Sequence, residues 1–178
     1  MELFWERLRE NGSIPIYCPK VEDMYSVVEK IISDINYSPA AFYPRDVLPT
    51  LSPRLLQMFG MVWGRSDSFD VRRARLGLMG VDFGVAETGS LVLFTSNTVE
   101  RLLSCLPEVF VGVVYTSRLL PDLASTLGYV SQALKGGRCV SIITGPSQTA
   151  DIEQRFVRGV HGPRQVYVLV VEGGPAIQ

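Results

Sequence analysis

The chain has 178 residues, a length that suits one domain with a buried core of its own. Its 17 basic and 18 acidic residues leave a net charge of −1, so no overall field draws it to nucleic acid or to an anionic membrane. The basic residues are 14 arginines against 3 lysines, a bias towards fixed pairing with carboxylate or phosphate. Cys18, Cys105 and Cys139 are far apart with no C-x-x-C pair, which reads as buried thiols in a reducing compartment rather than a disulfide framework or a metal site.

Residues 2–10 predict a short amphipathic helix with Leu3, Phe4 and Leu8 on one side, ended by Asn11-Gly12. This start lacks the apolar core of a secretion signal, and no apolar stretch approaches the ~20 residues of a membrane span, so a soluble cytoplasmic protein is expected. Glu22–Ile35 predicts a second helix through the stripe Met24, Val27, Val28, Ile31 and Ile32. Residues 1–36 therefore read as a helical N-terminal arm.

Ser38–Pro53 reads as irregular with a short strand at Ala40–Tyr43, followed by a brief helix at Arg54–Phe59 and a strand at Met61–Trp63. Asp70–Leu76 is compatible with a helix, and the arginines at 65, 72, 73 and 75 with a solvated face. Met79–Ala86 and Ser90–Phe94 predict two antiparallel strands joined by Glu87-Thr88-Gly89. A helix at Thr98–Cys105, a strand at Glu108–Tyr115 and a long helix at Ser117–Lys135 follow. The run from Cys139 reads as a strand broken by Gly145-Pro146. Thr149 then stands as N-cap of a helix from Ala150, with Ile152, Phe156 and Val160 on one face and Gly159 as its stop. Gln165–Val171 is the last strand. Strands alternating with helices around one hairpin indicate an α/β fold with a mixed sheet and helices on both faces.

No Gly-x-Gly-x-x-Gly follows a strand and no Walker-type loop occurs, so nucleotide or flavin binding of the familiar kinds is unsupported. Two segments carry most of the remaining information: Gly80–Val92, GVDFGVAETGSLV, and Ile143–Pro163, with GPSQTADIE followed by GVHGP. Together they resemble the LUD-domain family of lactate utilisation protein C, over Leu76–Val171. Two positions depart from the family pattern: Gln148 stands where the family usually has Arg, and Ser90 where it has Thr. The resemblance implies a single LUD domain over 1–178 with its core at 76–171, and a NagB/RpiA/CoA-transferase-like architecture. It further implies a part in oxidising L-lactate to pyruvate within a three-protein system. The iron–sulfur clusters of that system would sit on partner proteins, and no cofactor or metal on this chain.

Within this frame the residues leave alternatives open. Glu87 sits beside a glycine that permits close approach. In the wider CoA-transferase-like fold a glutamate so placed acts as nucleophile, but here it can equally shape the turn with Thr88 and Gly89. The Gly145–Thr149 turn offers amides and the hydroxyls of Ser147 and Thr149 to a small anion, or uses them as a helix cap. His161, the only histidine, is either a proton carrier or a loop-fixing donor, with Arg164 beside it to hold an anionic group. The competing functional class is a free-standing acyl or CoA transferase, or a small-molecule ligase, working through Glu87.

Overall fold

The computed structural model describes residues 1–35, 38–46, 48–65, 69–150, 156–158 and 162–174. Helix α1 (Glu2–Glu10) has Glu2 in its first turn and Arg7 and Arg9 in its last, both complementing the helix dipole, and buries Phe4 and Leu8 one turn apart. Strand β1 (Ile14–Cys18) leads to α2 (Val21–Ile35), then β2 (Ala40–Tyr43) and α3 (Pro53–Met58), where the Ser52 hydroxyl caps the Leu55 N–H and Pro53 opens the helix. Next come β3 (Met61–Val62), β4 (Leu76–Gly80), β5 (Phe83–Val85) and β6 (Ser90–Thr95). Helix α4 (Thr98–Cys105) precedes β7 (Val109–Tyr115) and β8 (Leu119–Leu120). The chain continues through α5 (Leu127–Lys135), β9 (Cys139–Ile143), β10 (Gln148–Ala150), β11 (Phe156–Arg158) and β12 (Gln165–Val171).

Six strands form a sheet in the order β1-β12-β7-β4-β2-β3, every neighbouring pair parallel. A smaller mixed sheet runs β8-β5-β6-β9. One face of the large sheet, with Leu76, Leu78, Val109, Val111, Leu169 and Val171, packs under α2 and α3. Its other face meets Phe4 and Leu8 of α1, Leu103 of α4 and the inner residues Leu91 and Leu93 of β6. The outer face of the small sheet, with Phe83, Val85, Val92 and Phe94, is covered by Ala133, Tyr129 and Val130 of α5. The large sheet is thus buried on both sides, as its near-continuous apolar strands require. Among the described residues no helix is long and apolar enough to cross a membrane.

Several expected elements are corrected. The N-terminal arm is not wholly helical: Ile14–Cys18 pairs in parallel with β12 and forms the edge of the large sheet, where Pro15 is tolerated. The single strand expected at Met79–Ala86 is two. Val81 donates its N–H to Val113 of the large sheet and Asp82 to Val92 of the small one, so the chain changes sheets between these residues. Asp70–Leu76 forms only one 3-10 turn, Val71–Arg73, capped by the Asp70 carboxylate, before β4 begins. The long helix expected from Ser117 is interrupted by β8 and Pro121, which has no N–H to give, and α5 starts at Leu127. The helix expected from Ala150 is absent at its start: Gln148–Ala150 pairs antiparallel with Phe156–Arg158. Thr149 and Val157, both β-branched, are register partners there, and such residues favour a ladder over a helix.

Candidate functional site

The two motif segments meet at one end of the small sheet. Val85 opposite Ser90 closes the β5–β6 hairpin, and Leu91 opposite Ile143 sets β9 beside it, so Glu87-Thr88-Gly89 and Thr144-Gly145 share an edge. Hydroxyls join them: Thr88 Oγ1 lies 2.7 Å from Ser90 Oγ, and Ser90 Oγ lies 2.7 Å from Thr144 Oγ1. The end of α1 rests on both turns. Asn11 Nδ2 donates to the Thr88 carbonyl at 2.7 Å. Gly89 (φ +62°) faces the α1 backbone, where a methyl group would sit 2.6 Å from the Arg7 carbonyl carbon, and a methyl on Gly145 (φ +87°) would run into the Asn11 carbonyl oxygen.

The loop that leads into β12 joins the same place, because the Ser147 N–H donates to the Pro163 carbonyl at 2.9 Å. The Glu87 turn, the Gly145 turn and residues 162–163 are therefore neighbours. His161 and the side chain of Thr149 lie outside the described residues. Glu87 is exposed, accepts a hydrogen bond from the Leu123 N–H at 3.1 Å and donates its own N–H to Pro121, contacts that pin the turn to the segment after β8. Arg164 is exposed at the start of β12, where its N–H donates to the Glu108 carbonyl at 2.8 Å. The Glu108 carboxyl is held below the usual carboxylate range, chiefly by its hydrogen bond from Arg75 at 2.9 Å and further by Arg164.

A second polar site lies at the opposite end of the small sheet, about 13 Å away at four residue steps along β9. It occupies the carboxyl ends of β2 and β4. From β2 the chain goes to β3 on one side, and from β4 to β7 on the other, so this is a point where successive connections diverge, a recurrent ligand position in α/β sheets. Tyr43, Pro44, Arg45, Asp46, Asp82, Ser96, Glu100, Arg118 and Arg138 line a cavity of about 330 Å³.

Its floor is a buried ion cluster. Arg45 donates through Nη1 to the Gly80 carbonyl at 2.9 Å, and through Nη2 to Asp82 Oδ2 at 2.8 Å and the Phe94 carbonyl at 2.7 Å. Its Nε lies 3.6 Å from Glu100 Oε1, and all three charged side chains are 12% exposed or less. Asp82 also accepts from the Phe94 N–H at 2.8 Å, and Glu100 from the Ser96 N–H at 2.6 Å. Asn97 caps α4 by accepting from the Glu100 N–H at 3.0 Å and donates to the Tyr43 hydroxyl at 2.7 Å. Burial pushes the Tyr43 hydroxyl above its ordinary pKa. The internal donors satisfy both floor carboxylates, whereas no ion pair with Arg118 or Arg138 occurs among the described residues.

Sequence reasoning missed this pocket. Its charges come from five separated segments, and the only local signal is the capping pattern Ser96-Asn97-Thr98-Val99-Glu100, which marks a helix start rather than a ligand site. The expectation of buried thiols holds for Cys18 alone: Cys105 and Cys139 are exposed. Among the described residues no group of three or more His, Cys, Asp or Glu side chains is placed to hold a metal.

The chain is 34% identical over 112 residues to lactate utilization protein C of Geobacillus sp. (strain WCH70), covering 61% of this chain and 46% of that protein. It is 35% identical over 131 residues to the Escherichia coli (strain K12) protein YkgG, covering 68% of this chain and 57% of the other. Against lactate utilization protein C of Bacillus subtilis (strain 168) it is 34% identical over 112 residues, with 60% and 47% covered. The matched region thus spans about half the length of these curated relatives. The crystal structure of a DUF162 family protein from Deinococcus radiodurans superposes with a TM-score of 0.68 at 20% identity over 96% of this chain and 94% of that one, which shows the fold and accords with a NagB/RpiA-like α/β architecture. The LUD domain family model matches residues 70–171, the stretch that holds β4 to β12 and both motif turns, and the chain belongs to the LUD domain family.

Proposed function

We propose that this chain is an accessory, ligand-binding subunit of a cytoplasmic system that oxidises L-lactate to pyruvate. Iron–sulfur proteins partnered with it carry the electrons, and this chain holds no cofactor of its own. The observation that carries the reading is the Ser90–Thr144 contact, which joins the two family motifs beneath Asn11 into one hydroxyl- and amide-rich surface. Thr88, Gly145 and Ser147 are half-buried there, and Gly89 lies beneath α1, where it lets the helix seat on the turn. Thr88 and Ser147 supply hydrogen-bond donors and Arg164 positive charge for a small anion, and the sequence adds Thr149 and His161 as further candidates. The names of the relatives support the lactate context.

The engagement of Glu87 with Leu123 favours a turn-shaping role over nucleophilic attack. The test is lactate-dependent reduction of an artificial electron acceptor by the purified chain, by the iron–sulfur partners, and by the mixture. Activity is expected only in the mixture. Equal activity of the partners without this chain overturns the reading. A covalent acyl adduct on Glu87, formed from acyl-CoA by the isolated chain and lost in Glu87→Gln, assigns it instead to the transferases.

A further inference from the structure

We propose that the pocket at the carboxyl ends of β2 and β4 is a binding site for a small oxyanion, a carboxylate or phosphate, gripped by Arg118 and Arg138. It is separate from the motif end of the small sheet and does not depend on the role proposed for that end.

Arg45 cannot be the gripping group, because its guanidinium is taken up by two carbonyls and two carboxylates. Asp82 and Glu100 are likewise matched by Arg45, by the Phe94 and Ser96 amides and by the Ser96 hydroxyl. With the floor settled internally, Arg118 and Arg138 are left on the pocket lining, where among the described residues only the exposed Asp46 opposes them.

The second observation is Arg118 itself. It precedes β8, whose pairing with β5 sets its backbone alongside Phe83, the residue after Asp82, and its Nε is buried without a hydrogen-bond partner. A buried N–H of a cation left unmatched is unfavourable, and native structures satisfy nearly all such groups. A guanidinium offers paired N–H groups in the shape that receives two oxygens of a carboxylate or phosphate side by side, and Arg118 lines the cavity. Arg138, exposed just before β9, stands at the rim where it can close over the ligand. Tyr43 lines the same cavity, and its hydroxyl, which accepts from Asn97, keeps its own proton to donate to a further polar group. A cavity of about 330 Å³ suits a ligand of metabolite size.

The experiment is thermal unfolding of the full chain at constant ionic strength, titrated separately with inorganic phosphate, L-lactate and pyruvate against a chloride reference. At least one oxyanion is expected to raise the midpoint saturably, and the responding arm identifies carboxylate or phosphate. Arg118→Met, which keeps the aliphatic stem, should weaken the fitted affinity tenfold or more. Arg138→Gln should weaken it severalfold, and Arg54→Gln, which removes a surface guanidinium elsewhere, should leave it unchanged. If Arg118→Met does not fold, the exposed Arg138 decides the matter. The proposal fails if no probe stabilises the protein beyond chloride, or if the arginine variants that fold retain the wild-type response.

Discussion

Replacing Gly89 with alanine should loosen the N-terminal helix from the motif turns, and the size of the effect follows from the contacts. An L-residue at φ +62° carries about 1–2 kcal/mol of left-handed strain. The added methyl would also lie 2.6 Å from the Arg7 carbonyl carbon and 2.7 Å from the Leu8 nitrogen. These are backbone atoms of a hydrogen-bonded helix, so relief requires α1 to retreat as a body. Phe4 and Leu8 anchor that helix at 0% and 1% exposure, and losing their burial entirely would remove roughly 1.5–3 kcal/mol each. The expected destabilisation therefore lies between strain alone and full release, about 1–6 kcal/mol. Urea unfolding gives the free energy, and limited proteolysis within residues 1–12 reports whether the helix has lifted. A loss at or below about 1 kcal/mol, with no change in proteolysis, would refute the seating of α1 on the turn.

Two further perturbations probe other parts of the molecule. Arg45→Met should destabilise by about 3–5 kcal/mol in urea unfolding, because it leaves Asp82 and Glu100 buried without their cation; a loss under about 1 kcal/mol would show that the cluster is hydrated. At pH 8 a thiol reagent should modify the exposed Cys139, Cys105 more slowly because partial burial raises its thiol, and Cys18 only on unfolding, since burial raises the Cys18 thiol to about 11. The folded state then keeps a proton that the unfolded state gives up above its ordinary thiol pKa. Stability from this group is full below about pH 9 and falls as pH rises towards 11, and Cys18→Ala should flatten that part of the stability profile.

The strongest strands were legible because their information is local. Glu108–Tyr115 and Gln165–Val171 are apolar runs of strand length, and both lie in the sheet interior, covered on two faces. The hairpin around Glu87-Thr88-Gly89 was equally legible, since a short turn between two apolar segments dictates antiparallel pairing. Local pattern failed where one run serves two sheets, at Val81–Asp82, and where four-residue apolar spacing at Ile152, Phe156 and Val160 imitated a helix although Phe156–Arg158 pairs as a strand. The Ile14–Cys18 strand was not legible because Pro15 interrupts a short apolar run, a placement that only an edge strand tolerates.

The motif end of the candidate site could be read from sequence, since the residues on each turn are neighbours in the chain and only their meeting had to be supplied. The arginine pocket could not. Positions 45, 82, 100, 118 and 138 form no spacing, and each lies beside the end of a strand or in the first turn of a helix. The sequence by itself determined the alternation of strands and helices, the hairpin and the turn residues, because propensity and periodicity act over a few residues. Only the tertiary structure decided which charges became buried and which guanidinium was left unmatched, because burial and distance between remote segments, not the local chain, set the energy of an ion pair.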